Sequence, residues 1–68
     1  MTQAEADAYM IDYFKRSIAD YEERAERLEK LAPYMVGYEG QKLMKDEAKT
    51  LREQIERLKK LEKAWPRP

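Results

Sequence analysis

The chain has no cysteine and no histidine. Without cysteine there is no disulfide framework, no thiolate zinc site and no thiol nucleophile. Without histidine, the commonest general base near neutral pH and the commonest metal ligand are both missing. Hydroxyl nucleophiles reduce to Thr2, Ser17, Thr50 and the tyrosines, with no imidazole to activate them. Glycine occurs only at 37 and 40, and proline only at 33, 66 and 68. Neither glycine belongs to a phosphate-binding loop, which needs a preceding strand and a Gly-Lys-Ser/Thr ending. No apolar run approaches the ~20 residues of a membrane span. Met1 leads into acidic, helical sequence rather than a basic start and an apolar run, so no signal peptide is expected. There is also no net charge, because 14 basic residues balance 14 acidic ones. These absences point away from an enzyme, from a metal or cofactor and from a membrane, and lead to the expectation of a cytoplasmic binding protein.

What is present is helical. Ala, Glu, Lys, Leu and Arg make up more than half of the 68 residues, the composition of long or coiled helices. Thr2-Gln3-Ala4-Glu5 reads as a capping box. A first helix is expected over about 3–32, ended by Pro33, which disfavours helical geometry at Ala32. Residues 33–40 form a hinge, in which Pro33 can begin a single turn. A second helix is expected over about 41–65, with a tail at 66–68. Ile11, Phe14, Ile18, Tyr21, Ala25, Leu28, Ala32 and Met35 recur at alternating spacings of 3 and 4, a heptad stripe. Met44, Ala48, Leu51, Ile55, Leu58 and Trp65 continue it in the second helix. Glu62 stands where that stripe calls for an apolar residue, and Leu61 is expected to substitute in part.

The fold class is therefore all-α: an antiparallel two-helix hairpin with coiled-coil-like heptad packing, dimerising into a four-helix bundle. In the expected register Ile11 meets Trp65, Tyr21 meets Ile55, Ala25 meets Leu51 and Leu28 meets Ala48. Glu22 then lies near Arg52 and Glu29 near Lys45. An acidic start and a basic finish suit both the pairing of the two ends and each helix's dipole. Dimerisation is expected because one alanine-rich stripe is little core for a chain of this size.

Three surfaces are candidate sites. The hinge carries Tyr34, Met35, Val36 and Tyr38, residue types typical of interface anchors in a connection that would ordinarily be polar. They either dock a partner or cap the end of the core. Tyr9 and Tyr13, one turn apart on a flank of the first helix, are candidates for self-association. Lys42, Lys45, Lys49, Arg52, Lys59, Lys60 and Lys63 form a basic stripe on the second helix. It can track phosphates, or it is neutralised by the first helix's acidic flank of Glu5, Asp12, Glu22, Glu23, Glu26 and Glu29. Glu23–Arg27 and Glu26–Lys30 read as ordinary pairs one turn apart rather than metal ligands.

The expected function is non-covalent binding to another protein by a homodimer: a regulator, adaptor or inhibitor that occupies a surface. Small chains of this build are common among phage and plasmid accessory proteins, including inhibitors of host defence. A nucleic-acid-binding dimeric bundle using the basic stripe is the alternative. A structural coiled-coil subunit or scaffold is a third.

Overall fold

A computed structural model describes residues 1–65 of the chain; the expected tail at 66–68, and with it Arg67, lies outside them. Helix α1 spans Gln3–Leu31. A single 3-10 turn follows at Ala32–Tyr34. Helix α2 spans Tyr38–Ala64 and packs against α1, forming an all-α hairpin.

Local chemistry sets these boundaries. Thr2 is extended, and its Oγ1 accepts from the Glu5 backbone N–H at 3.1 Å, filling one of the orphan donors of the first turn. The second half of the box closes through side chains, as the Thr2 hydroxyl donates to Glu5 Oε1 at 3.2 Å. Glu5 in the first turn and Lys30 in the last complement the dipole of α1. Pro33 opens the 3-10 turn, which the Met35 N–H closes onto the Ala32 carbonyl at 3.2 Å.

The reversal depends on Gly37, whose φ of +95° is closed to residues with a Cβ except under strain. The Gly37 carbonyl accepts from Gln41 N–H at 3.3 Å, and the Gln41 side chain donates to the Met35 carbonyl at 3.2 Å. Helix α2 thus begins at Tyr38, ahead of the expected Gln41, and Tyr38 stands in its first turn. Gly40 is not a boundary. It lies inside the helix, where glycine costs only about 1 kcal/mol, and Met35 packs over it.

The core follows the expected stripe. Phe14, Ala25 and Ala32 are buried from the first half, and Ala48 and Ile55 from α2. Ile11, Ile18, Tyr21, Leu28, Met44, Leu51, Leu58 and Trp65 are half-buried around them. Three alanines among five buried residues let the backbones approach closely, as dense packing requires. The open end closes with Trp65 edge-on to Phe14, ring centroids 6.1 Å apart. Glu62 occupies the stripe half-buried, with Oε2 covered and without a hydrogen-bond partner among the described residues. Leu61 does not substitute for it; it points outward.

The cross-helix partners differ from the expected register. Trp65 meets Phe14, a pairing outside the expected register. Glu29 pairs with Arg52 and Glu22 with Lys59, each one heptad further along α2 than expected. Side chains lean toward the N-terminus of their own helix. In an antiparallel pair the two leans oppose, so the tips that touch belong to residues with higher numbers than those whose Cα atoms lie level. All three shifts run in that direction.

Two stability predictions follow from this core. Ala25 has no exposed surface, so Ala25→Leu overpacks the interface and lowers unfolding free energy by about 1–3 kcal/mol in urea titrations. The two glycines respond to alanine with opposite signs. A Cβ at Gly40 meets Met35 at an ordinary 3.6–3.7 Å, so Gly40→Ala raises stability by about 0.5–1 kcal/mol. Gly37→Ala strains the backbone and lowers it by about 1–2 kcal/mol, read in the same titrations.

Candidate functional site

The hinge presents its apolar residues outward. Tyr34, Val36 and Tyr38 are 84%, 98% and 78% exposed. They do not cap the core of the hairpin. Met35, expected to end the core stripe, is exposed as well, at 36%, and lies over Gly40 with Cβ and Cε 3.6 and 3.7 Å from the place of a Gly40 Cβ. The tip is held by the 3-10 turn, by Gly37 and by the two Gln41 hydrogen bonds, so its aromatic residues sit on an ordered frame. Tyr38 also lines a shallow groove with Gln41, Lys42, Lys45 and Asp46, which joins the hinge to the hinge-side end of the basic stripe.

The basic stripe is interrupted at its middle. Arg52 donates to Glu29 through Nε at 3.2 Å and Nη2 at 2.7 Å, a two-pronged geometry. Lys59 Nζ stands 3.7 Å from Glu22. Lys42, Lys45, Lys49, Lys60 and Lys63 make no ion pair among the described residues. The stripe therefore divides into three lysines near the hinge and two near the open end. On α1, Glu23–Arg27 forms at 3.0 Å as expected. The other pairs one turn apart are Asp12–Arg16 and Asp20–Arg24, while Glu26–Lys30 is not formed.

Tyr9 and Tyr13 are exposed and line a shallow surface groove with Asp12, Arg16 and Ser17. They belong to a longer feature. At 100° per residue, Tyr13 and Leu31 stand about 100° from the centre of the α1 stripe, and Leu43 and Leu61 about 100° from that of α2, in the same rotational sense. Glu22, Glu29, Arg52 and Lys59 stand about 60–80° away in the opposite sense. The two flanks of the hairpin thus differ in kind. One is closed by ion pairs. The other carries four exposed apolar side chains, with Arg24, Arg27, Leu28, Glu47 and Leu51 lining a groove between the helices. Leu43 was not anticipated from sequence. Its signal was present in its spacing to Leu61, which matches that of Tyr13 to Leu31.

Among the described residues no three acidic side chains converge as metal ligands, and no helix is long and apolar enough to cross a membrane. Comparison with family profiles, curated proteins and solved structures finds no match. The surface itself carries the functional argument.

The Arg52 hydrogen bond holds the Glu29 carboxyl below the usual glutamate range. A carboxylate with a lowered folded-state pKa stabilises the fold above its unfolded pKa, and that contribution is lost as pH falls through the folded value. Stability is therefore expected to decline on acidification below the ordinary glutamate range. Glu29→Gln should lower the neutral and alkaline plateau slightly and make that decline shallower, so that the two proteins converge in acid, as measured by urea midpoints across pH. The pair is half-exposed, so the effect is small.

Proposed function

We propose that the chain is a non-enzymatic protein-binding module, acting in the cytoplasm as a regulator, adaptor or inhibitor by occupying a partner surface with its hinge end. In this reading the hairpin packs with heptad regularity and works as a homodimer. The observation that carries the reading is the outward display of Tyr34, Val36 and Tyr38 on an ordered turn. Three large side chains that leave no core empty when removed, yet stay apolar, are what a docking tip requires. Tyrosine supplies contact area with little rotamer entropy to lose. Phage and plasmid accessory proteins that block host complexes are one setting for such a module.

The division of the basic stripe supports a protein partner over a nucleic acid. A phosphate track needs a continuous line of free cations, and the central two are held by Glu29 and Glu22.

The test is capture of the partner from the native host by the tagged chain, followed by binding measurements with variants. Tyr34→Ala combined with Tyr38→Ala should weaken binding by about 2 kcal/mol or more with helicity unchanged. Reversing Lys45, Lys49 and Lys60 to Glu should leave most of the binding intact. Loss of helicity in the tyrosine pair would make those residues structural. A steep salt dependence abolished by the lysine reversals would mean nucleic acid instead.

A further inference from the structure

We propose that the flank bearing Tyr13, Leu31, Leu43 and Leu61 is covered by a second copy of the chain, reversed about a two-fold axis so that the two hinges point to opposite ends. This rests on the self-association part of the reading above and specifies its face, its direction and its effect on the docking site.

The need for a second layer is visible in the dimensions. The hairpin measures 53 × 16 × 13 Å, one layer of helices thick. Domains of ordinary stability pack at least two layers about their core. A compact monomer of this 8.2 kDa mass exposes about 4500 Å². This chain exposes 5728 Å². The excess, roughly 1200 Å², exceeds the ~800 Å² that each partner commits to a standard interface.

The choice of face follows from the asymmetry of the flanks. The opposite flank is occupied by Glu29–Arg52 and Glu22–Lys59. On the apolar flank, Tyr13 and Leu31 are as far apart along α1 as Leu43 and Leu61 are along α2, about 27 Å at 1.5 Å per residue. An apolar pad therefore lies toward each end, with a charged centre between.

Charge decides the direction. The centre carries Asp20, Arg24 and Arg27 on α1, and Glu47 and Arg57 on α2. Reversal sets α1 on α1 and α2 on α2. Asp20 then faces Arg24 and Arg27 of the second copy, Glu47 faces Arg57, and Leu43 faces Leu61. With the hinges at the same end, α1 would lie on α2. At the level that puts Tyr13 opposite Leu61, Arg27 would face Glu47, but Asp20, Arg24 and Arg57 would face Gln54, Thr50 and Ser17, leaving these three charges unmatched at a covered surface.

The reversal also joins two candidate sites. Tyr34 of one copy comes level with Met10–Tyr13 of the other. The docking surface at each end is then composite, with Val36 and Tyr38 from one chain and Tyr9 from its neighbour. The dimer presents two such ends.

The experiment uses the full chain. Sedimentation equilibrium in the micromolar range should give a dimer, and Leu43→Glu, at an exposed position, should raise its dissociation constant by about tenfold or more. Because the chain has no native cysteine, single variants can be mixed and oxidised. Leu43→Cys mixed with size-tagged Leu61→Cys should yield a covalent heterodimer, since a disulfide needs Cα atoms within about 7 Å. Tyr13→Cys mixed with tagged Leu61→Cys should not. Cross-linking of the second mixture alone overturns the reversed direction. A dimer that cross-links in neither mixture, or that Leu43→Glu leaves intact, overturns the face but spares self-association. A monomer at every concentration overturns both, while leaving the hinge as a docking tip to be judged by its own variants.

Discussion

A pair of helices can bury one stripe of each and nothing else. Every other surface of both helices faces water or waits for another layer. The stripe here is narrow because Ala25, Ala32 and Ala48 occupy its most enclosed positions. Alanine brings the backbones close and adds little area of its own. The larger residues, Ile18, Tyr21, Leu28, Leu51 and Leu58, straddle the edge of the contact and remain half-buried. From this one limit come the rod shape, the high exposure and the importance of what the two flanks carry.

The hinge turns the same constraint into a means of presentation. A two-helix rod has ends that no packing covers, and whatever the connection displays is displayed fully. Pro33 sets the turn, Gly37 supplies a backbone conformation at positive φ, and Gln41 ties the returning helix to the turn. Met35 folds back over Gly40 and stays part-exposed. The remaining apolar residues of the connection contribute nothing to the hairpin's own core, which is why we assign them to a partner.

The helices, their stripe and the Thr2 cap were legible because period and capping are properties of adjacent residues in one chain. The start of α2 was misplaced because Gly40 resembles a boundary, and only the backbone shows that Gly37 does that work. The ion-pair partners were missed because residue levels were matched without the opposed lean of the side chains. Whether the hinge aromatics cap or protrude depends on the path of three or four residues, which composition does not determine. Leu43 escaped notice for another reason. On its own helix it is a single exposed leucine of no consequence. It acquires meaning only when the hairpin sets its flank beside that of Tyr13 and Leu31.

The two flanks answer to the solvent in opposite ways. Exposed ion pairs such as Glu22–Lys59 weaken as dissolved ions shorten the reach of charge, to about 8 Å at physiological strength and less above it. Apolar contacts strengthen when strongly hydrated salts such as sulfate are excluded from the protein surface. A single molecule thus carries one edge that loosens with sulfate and one that grows more adhesive. The buried stripe between the helices is apolar too, so sulfate tightens the hairpin together with its adhesive edge, and only the ion-paired edge gives way.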